Sequence, residues 1–109
     1  MSLMKKDSFA EIVRRSVEIR KKYHELEVQH HGSGWSLEED ALAYLTDAGL
    51  VGRNIMSKEG RWPKAGAEDE LKHKLAENLW WLLVIAKRAG VDIEEAMQEF
   101  LGKTEKLVG

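Results

Sequence analysis

Two rows of mostly polar side chains are spaced so that each could line one face of a helix. The first row holds Asp47, Leu50 and Asn54, and the second holds Glu70, Lys74, Glu77 and Trp81. Residues three or four positions apart share a helix face. Cofactor sites in helical bundles are built from side chains that project between facing helices. The two rows could therefore share a ligand between them.

Four amphipathic helices are predicted to position these rows, and no strand pattern occurs. The first runs from Ser8 to about Gln29, the second opens near Leu37, the third runs from about Ala67 to Ala89, and a fourth follows Asp92. Cap signals mark three starts: Ser8 with Glu11, Ser36 with Glu39, and Asp92 with Glu95. Gly90 occupies a C′ position after the third helix. The predicted class is all-α, a four-helix bundle or a half-bundle completed by a second copy.

Apolar residues at helical spacing predict the buried face of each helix. These stripes are Phe9, Ile12, Ile19, Tyr23 and Leu26 in the first helix; Leu42, Leu45, Gly49, Gly52 and Met56 in the second; and Ile93, Ala96, Met97, Phe100 and Leu107 in the fourth. The two glycines each cost about 1 kcal/mol in a helix interior. They indicate a place where another helix approaches closely or a ligand needs room.

Composition limits the classes of protein that the chain could be. Its 109 residues form one domain, residues 1–109, in which Met1–Leu3 before a second methionine has the form of an expression scar. A net charge of −2 with interspersed signs does not predict a nucleic-acid partner. The absence of cysteine excludes disulfides and thiol nucleophiles and favours a cytoplasmic location. The longest apolar run is too short to span a membrane, so no membrane partner is expected.

Other chemical motifs are weak. His24, His30, His31 and His73 form no H-x-x-x-H pair on one helix, which makes zinc a poor interpretation. No G-x-S-x-G motif, phosphate-binding loop or dinucleotide fingerprint occurs.

The segment TDAGLVGRNIMSKEG, followed by KLAENLWWLLVIAKRAGVDIEEA, resembles the MazG-like branch of the all-α nucleoside triphosphate pyrophosphohydrolases. The resemblance covers about Trp35 to Leu107, and its second half is the more specific part. It implies a MazG-like helical fold that assembles as a dimer or tetramer. It also implies hydrolysis of an NTP or dNTP to the monophosphate and pyrophosphate, with Mg²⁺ held by acids of two motifs. Mg²⁺ prefers octahedral oxygen ligands, bridges phosphate oxygens and orients the attacking water.

The acidic motifs of that family are only partly present. Asp47 matches the second acid of the first motif and Gly49 its glycine, but Thr46 and Leu50 stand where acids are expected. In the second motif Lys74 replaces the leading Glu, and Glu77 takes the place of the Asp. Leu has no ligand atom, and a lysine ammonium has donors but no acceptor. The expected catalytic residues and metal ligands are therefore Asp47 and Glu77.

Further residues near these acids are candidates for the same site. Glu70 is a third metal-ligand candidate, and Lys74, Asn54, Arg53 and Trp81 are candidates for binding the ligand. Lys74 could supply positive charge where a relative places its metal, or could simply form an ion pair with Glu77 or Glu70. Trp81 could stack a base or pack in the core. Trp62, in the loop over residues 58–66, could cover a nucleotide or pack locally.

Three hypotheses follow from the sequence. The first is a Mg²⁺-dependent nucleotide pyrophosphohydrolase with an altered metal site. The second is a catalytically silent relative that binds a nucleotide or a protein partner. The third is a helical interaction module without a small ligand.

Overall fold

The helices of the chain begin and end close to the predicted signals. A computed structural model describes residues 6–109, in which α1 spans Phe9–His31, α2 Leu37–Lys58, α3 Ala67–Arg88 and α4 Ile93–Val108. No strand occurs in that part of the chain, so the all-α class with four helices is confirmed. Met1–Leu3, interpreted above as an expression scar, lies outside the described residues. None of the four helices is both long and apolar enough to cross a membrane.

Side-chain caps fix three of the four helix starts. The complete capping box is at α2, where the Glu39 amide donates to Ser36 Oγ at 3.1 Å and the Ser36 amide donates to Glu39 Oε1 at 3.0 Å. At α1 only half of the predicted box forms, because Ser8 Oγ accepts from the Glu11 amide while the Glu11 carboxylate accepts from Arg14. Satisfying the free amides of the first turn is what defines these starts.

α3 is the central helix, and α2 packs against it along most of its length. Three contacts join the two helices: Asp40 with Arg88, Asp47 with Lys74, and Asn54 with Glu70. Along these contacts the residue numbers rise on α2 and fall on α3. The two helices are therefore antiparallel. α1 packs on α3 through Trp80, whose indole nitrogen donates to the Ser16 carbonyl at 3.2 Å. α4 has a smaller contact with α3 and contains no buried residue.

The apolar core within residues 6–109 is small. Its buried residues are Ala67, Trp81, Leu83, Val84 and Ala86, all on α3. Asp40 and Asn54 of α2 are as completely buried as any of them, with no exposed area. The face of α2 that contacts α3 is therefore polar as well as apolar.

The predicted apolar stripes do not form the core of this chain. Phe9, Ile12, Ile19, Tyr23 and Leu26 of α1 are all exposed, as are Leu42, Leu45, Gly49, Gly52 and Met56 of α2 and Met97, Phe100 and Leu107 of α4. An added Cβ at Gly49 or Gly52 would meet no atom within 4 Å, so no part of the chain approaches them closely. Periodicity shows that a helix face is apolar but does not show what covers it. The predicted burial within one chain was wrong.

The chain is too open for a compact monomer of its size. Its Cα radius of gyration is 16.8 Å, whereas a compact domain of this length has a radius of about 13 Å. Its accessible surface is 8603 Å² for 12.4 kDa, whereas a monomer of that mass exposes roughly 6100 Å². The extra accessible surface and the exposed apolar stripes have the same cause, because the helices contact one another on only part of their surface.

A buried ion-pair network joins α1, α2 and α3. Asp40 accepts from Arg20 Nη2 at 3.0 Å and from Arg88 Nη1 at 2.6 Å. Arg20, with its side chain 7% exposed, also donates from both terminal nitrogens to Glu27, at 3.1 and 3.2 Å. Glu27 in turn accepts from the Trp35 amide at 2.8 Å, which holds the turn between α1 and α2. The network replaces part of the apolar core that these helices lack.

Removing Asp40 should destabilise the fold strongly. Asp40→Ala leaves the Arg20 guanidinium buried with only one carboxylate partner, and breaking such a pair costs about 3 kcal/mol. Urea unfolding followed by circular dichroism at pH 7 measures this loss. The matched control is Glu38→Ala, an exposed acid in the same helical turn, which should change the unfolding free energy by less than about 1 kcal/mol. Equal effects at the two positions would contradict the structural role of the network.

Candidate functional site

The ammonium group of Lys74 lies between the two carboxylates that the sequence singled out. Lys74 Nζ is 3.0 Å from Asp47 Oδ1 on α2 and 2.8 Å from Glu77 Oε1, one turn along α3. The side chains of Lys74 and Asp47 are 18% and 13% exposed. Asp47 and Glu77 thus converge at one place between the helices, and a lysine bridges them. The sequence left two ion pairs open for Lys74, one with Glu77 and one with Glu70, and the pair with Glu77 forms.

Two further side chains of α3 hold Asp47 in place. The indole nitrogen of Trp81 donates to Asp47 Oδ2 at 2.8 Å, so both oxygens of this carboxylate have a donor. Asn78 donates to the backbone carbonyls of Asp47 at 3.1 Å and of Lys74 at 2.6 Å. Trp81 is 8% exposed and belongs to the core. Its indole therefore packs in the core, which was one of the two roles expected of Trp81. The same indole also orients the carboxylate of Asp47.

Lys74 is held in its charged form. Hydrogen bonds to Glu77 and then to Asp47 raise the pKa of Lys74 above its ordinary value, against a smaller opposing effect of burial. The two carboxylates and the ammonium leave one net negative charge on the cluster. This arrangement is an ion-pair cluster in which the cation is the ammonium group of Lys74.

Glu70 and Asn54 form a second polar cluster, toward the start of α3. Asn54 Nδ2 donates to Glu70 Oε2 at 2.7 Å and to the Leu50 carbonyl at 2.8 Å. Lys64 also donates to Glu70 Oε2, and Lys64 followed by Asn54 lowers the pKa of the Glu70 carboxyl. Asn54 Oδ1 is buried without a hydrogen-bond partner. Glu70 thus pairs with Lys64 and Asn54, not with the bridged pair of acids.

Arg53 contacts the loop that follows α2. Its Nη1 donates to the Trp62 carbonyl at 2.7 Å, and its guanidinium carbon lies 3.6 Å from the centre of the Trp62 ring. Ser57 Oγ accepts from the Lys64 amide at 2.9 Å, which closes the same loop. Local packing was one of the two roles expected of Trp62. The contacts found for Arg53 and Trp62 are with each other.

An aromatic cleft between α1 and α3 adjoins the bridged acids. It has a volume of about 630 Å³ and reaches Glu77 at one end. The rings along it are Tyr23, Trp35, Trp80 and Trp81. Trp80 lies edge-on to both of its aromatic neighbours, with ring centroids 6.2 Å from Tyr23 and 4.8 Å from Trp81. Glu77 is thus part of both the ion-pair cluster and the lining of this cleft.

The residues present do not fit the Mg²⁺ ion that the family resemblance implies. A magnesium site needs carboxylate oxygens free to face the ion, but both oxygens of Asp47 and one oxygen of Glu77 accept hydrogen bonds from the protein. The ammonium of Lys74 lies between the two acids and would repel a divalent cation. Within residues 6–109 no group of three or more histidine, aspartate or glutamate side chains could hold a metal ion.

The sequence predicted some members of the site and missed others. Asn78 was overlooked, although its position four residues after Lys74 places it in the same row. The ion pairs of Arg20 and Arg88 with Asp40 were also missed, because their partners lie 20 and 48 positions apart in the chain. Only a residue in the same helix can be found from spacing.

Comparison with known proteins adds no family to this description. No family model matches the chain, and no curated protein or solved structure matches it either.

Replacing Lys74 should destabilise the protein in a pH-dependent way. Lys74→Met leaves two carboxylates without their cation and should lower the unfolding free energy by about 1 to 2 kcal/mol at pH 7, between the values for exposed and buried pairs. Because folding raises the pKa of Lys74, its contribution is complete below about pH 10.4, the ordinary lysine value, and is lost as the pH rises through the raised value.

Chemical denaturation of both proteins between pH 7 and pH 11 measures this difference. The stability gap between wild type and Lys74→Met should narrow at the alkaline end. Lys72→Met, an exposed change two residues away, should alter stability by less than about 0.5 kcal/mol. A gap that stays constant to pH 11 would show that the ammonium charge of Lys74 does not bridge the acids.

Proposed function

We propose that this protein is a catalytically silent, MazG-like helical module that assembles with copies of itself. The observation that carries the proposal is the position of Lys74 Nζ, within 3.0 Å of both Asp47 and Glu77. In this proposal the ammonium takes the place between the acids that a Mg²⁺ ion has in active relatives. The chain retains the helical scaffold and has exchanged metal binding for an internal ion pair. A cytoplasmic location belongs to the same proposal, supported by a sequence without cysteine.

The residues around the bridge support the silent interpretation. Leu50, one turn after Asp47, offers no ligand atom where the family motif has an acid. A metal ion at this site would have to displace Lys74, whose raised pKa keeps it charged at neutral pH. Like charges repel strongly at partly buried positions. Binding of a divalent ion here therefore costs more free energy than binding to a carboxylate pair with no lysine between the two acids.

A charge-reversal variant should recover what the natural site lacks. We expect no Mg²⁺ binding by the wild-type protein in isothermal titration calorimetry, and no pyrophosphate release from a panel of NTPs and dNTPs with Mg²⁺. The double variant Leu50→Asp and Lys74→Glu supplies two further carboxylates beside Asp47 and Glu77. It should bind Mg²⁺ with a measurable heat, because four acids then face one position.

A matched double variant separates charge from general disruption. Leu50→Asn and Lys74→Gln places polar groups of similar size at the same positions without the added negative charge, and it should bind Mg²⁺ much more weakly. Absence of binding in the acidic variant, with its helix content retained, would contradict the facing of the two motifs. Pyrophosphate release by the wild type would reject the silent interpretation.

A second candidate function is nucleotide hydrolysis with an altered metal site. The convergence of Asp47 and Glu77 across α2 and α3 favours it, since this is the pairing that such a site requires. In that case Glu77→Gln should abolish the pyrophosphate release. Nucleotide binding without turnover would instead raise the melting temperature of the wild type, by an amount that grows with the logarithm of the ligand concentration above Kd.

The openness of the chain supports self-association. Its surface exceeds that of a compact monomer by roughly 2500 Å² per chain. Two chains that covered this excess would bury about 5000 Å² in total, which is the upper part of the range for obligate dimers. The exposed stripe of α2, formed by Leu42, Leu45, Gly49, Gly52 and Met56, offers an apolar face. Gly49 and Gly52 have free space above them, where a second helix could approach closely. We place the interface between copies on this stripe.

Charges on the α2 stripe should therefore separate the copies. The wild type should sediment as a dimer or larger species at micromolar concentration. Leu42→Glu with Leu45→Glu should shift it to the monomer, because buried charges without partners are strongly unfavourable. Leu107→Glu, at an 84% exposed position near the end of α4, is the control and should leave the assembly intact. Dissociation by Leu107→Glu alone would place the interface on α4, and a monomeric wild type would reject self-association.

A further inference from the structure

The aromatic cleft between α1 and α3 is a feature that neither the ion-pair cluster nor the α2 stripe explains. Four of the eight aromatic residues in the chain line it. Tyr23 and Trp35 at its rim are 54% and 41% exposed, so their rings are open to a molecule entering from solvent. Trp80 forms its wall and is held by the hydrogen bond from its indole to Ser16. The volume of about 630 Å³ is in the range of small-molecule sites.

The only arginine in the lining is not available to an anion. Arg20 donates to both oxygens of Asp40 and to both oxygens of Glu27. These bonds use four of the five N–H groups of a guanidinium. A phosphate or carboxylate in the cleft would have to compete with two carboxylates that already hold this group. The lining therefore offers no free guanidinium or lysine ammonium to an anion, and its other basic residue is His73.

The opposite charge is available at one end of the cleft. Glu77 accepts a hydrogen bond from Lys74 at Oε1, 2.8 Å away, and its side chain is 28% exposed. Nε2 of His73 lies 3.7 Å from the same oxygen. Asp47 and Glu77 together carry one more negative charge than Lys74 neutralises. The cleft thus combines open aromatic rings with a residual negative charge.

We propose that this cleft binds a small organic cation of the quaternary ammonium class. The faces of tryptophan and tyrosine rings attract such cations through their quadrupoles, and the attraction grows when the cation leaves water. A quaternary ammonium has no N–H group and needs no hydrogen-bond acceptor, which suits a lining that includes four tyrosine and tryptophan rings. The residual negative charge near Glu77 also attracts the cation, at longer range than the rings do.

Choline and its uncharged isostere 3,3-dimethylbutan-1-ol test the charge preference directly. Both have the same shape, and only choline carries the positive charge. Titration of the full chain, followed by tryptophan fluorescence and by calorimetry, should give saturable binding of choline. The isostere should bind about 2- to 30-fold more weakly, which is the range that cation–π energies of about 0.5 to 2 kcal/mol produce. Equal affinities would overturn the proposal.

Two single variants locate the site. Tyr23→Leu removes an exposed ring from the cleft rim and should weaken choline binding at least threefold while leaving helix content unchanged. Trp62→Leu removes an equally exposed ring, 55% exposed, outside the cleft and should have no effect on the affinity. Weakening by Trp62→Leu and not by Tyr23→Leu would overturn the assignment.

Two other occupants give distinct results in the same assay. Adenosine monophosphate, tested in parallel, would saturate the fluorescence change with higher affinity than choline if the cleft held a nucleotide, and that result overturns the cation proposal. If a second copy of the chain fills the cleft, choline binding would vanish as protein concentration rises, which also overturns it. Neither result depends on whether pyrophosphate is released, so this test and that of the silent function fail separately.

Discussion

The pairing of polar groups across α2 and α3 is the constraint on which the rest of the structure depends. Asp40, Asp47 and Asn54 stand seven residues apart on α2, and each meets a polar partner on α3: Arg88, Lys74 and Glu70 respectively. A buried polar group that loses its partner is costly. Sliding one helix past the other by a turn would separate all three pairs at once. The polar seam therefore fixes the antiparallel register, as single polar residues do in coiled coils.

The polar seam between α2 and α3 affects the faces of the helices that lie outside these contacts. The apolar stripes of α1, α2 and α4 lie away from the seam and remain exposed, so hydrophobic burial within the chain is concentrated on α3. Hydrophobic area removed from water supplies most of the stability of a folded domain. A chain that keeps so much of it at the surface gains further stability when another surface covers those stripes, which is the physical basis of the proposed self-association.

Local structure was predictable from the sequence, whereas tertiary partners were not. Ser36 with Glu39 predicted the start of α2, and Gly90 predicted the end of α3, because both signals act within one turn of a helix. Row spacing placed Asp47 and Glu77 on two helix faces that could share a ligand, but it could not show that these faces meet. Of the contacts that Lys74 makes, the pair with Glu77 along the helix was one alternative, and the contact with Asp47 on another helix was not foreseen. Burial was predicted wrongly for the α1 and α2 stripes, since helical periodicity identifies an apolar face without identifying its neighbour.

In the proposed MazG-like interpretation, the two departures from the acidic motifs of that family act in the same direction. Leu50 stands where the resembled family has an acid, and Lys74 places a positive charge between Asp47 and Glu77, so this cluster attracts a divalent ion less than an intact motif would. A lysine introduced among all the acids of an intact motif would still leave a strongly negative site that attracts a divalent ion. A leucine introduced alone would weaken the site without blocking it. In the proposed silent interpretation the cluster of Asp47, Lys74 and Glu77 keeps one net negative charge, and the ammonium of Lys74 takes the place that a metal ion would have. Metal binding would then require the loss of that proton or the removal of the side chain, and the raised pKa of Lys74 opposes the first of these.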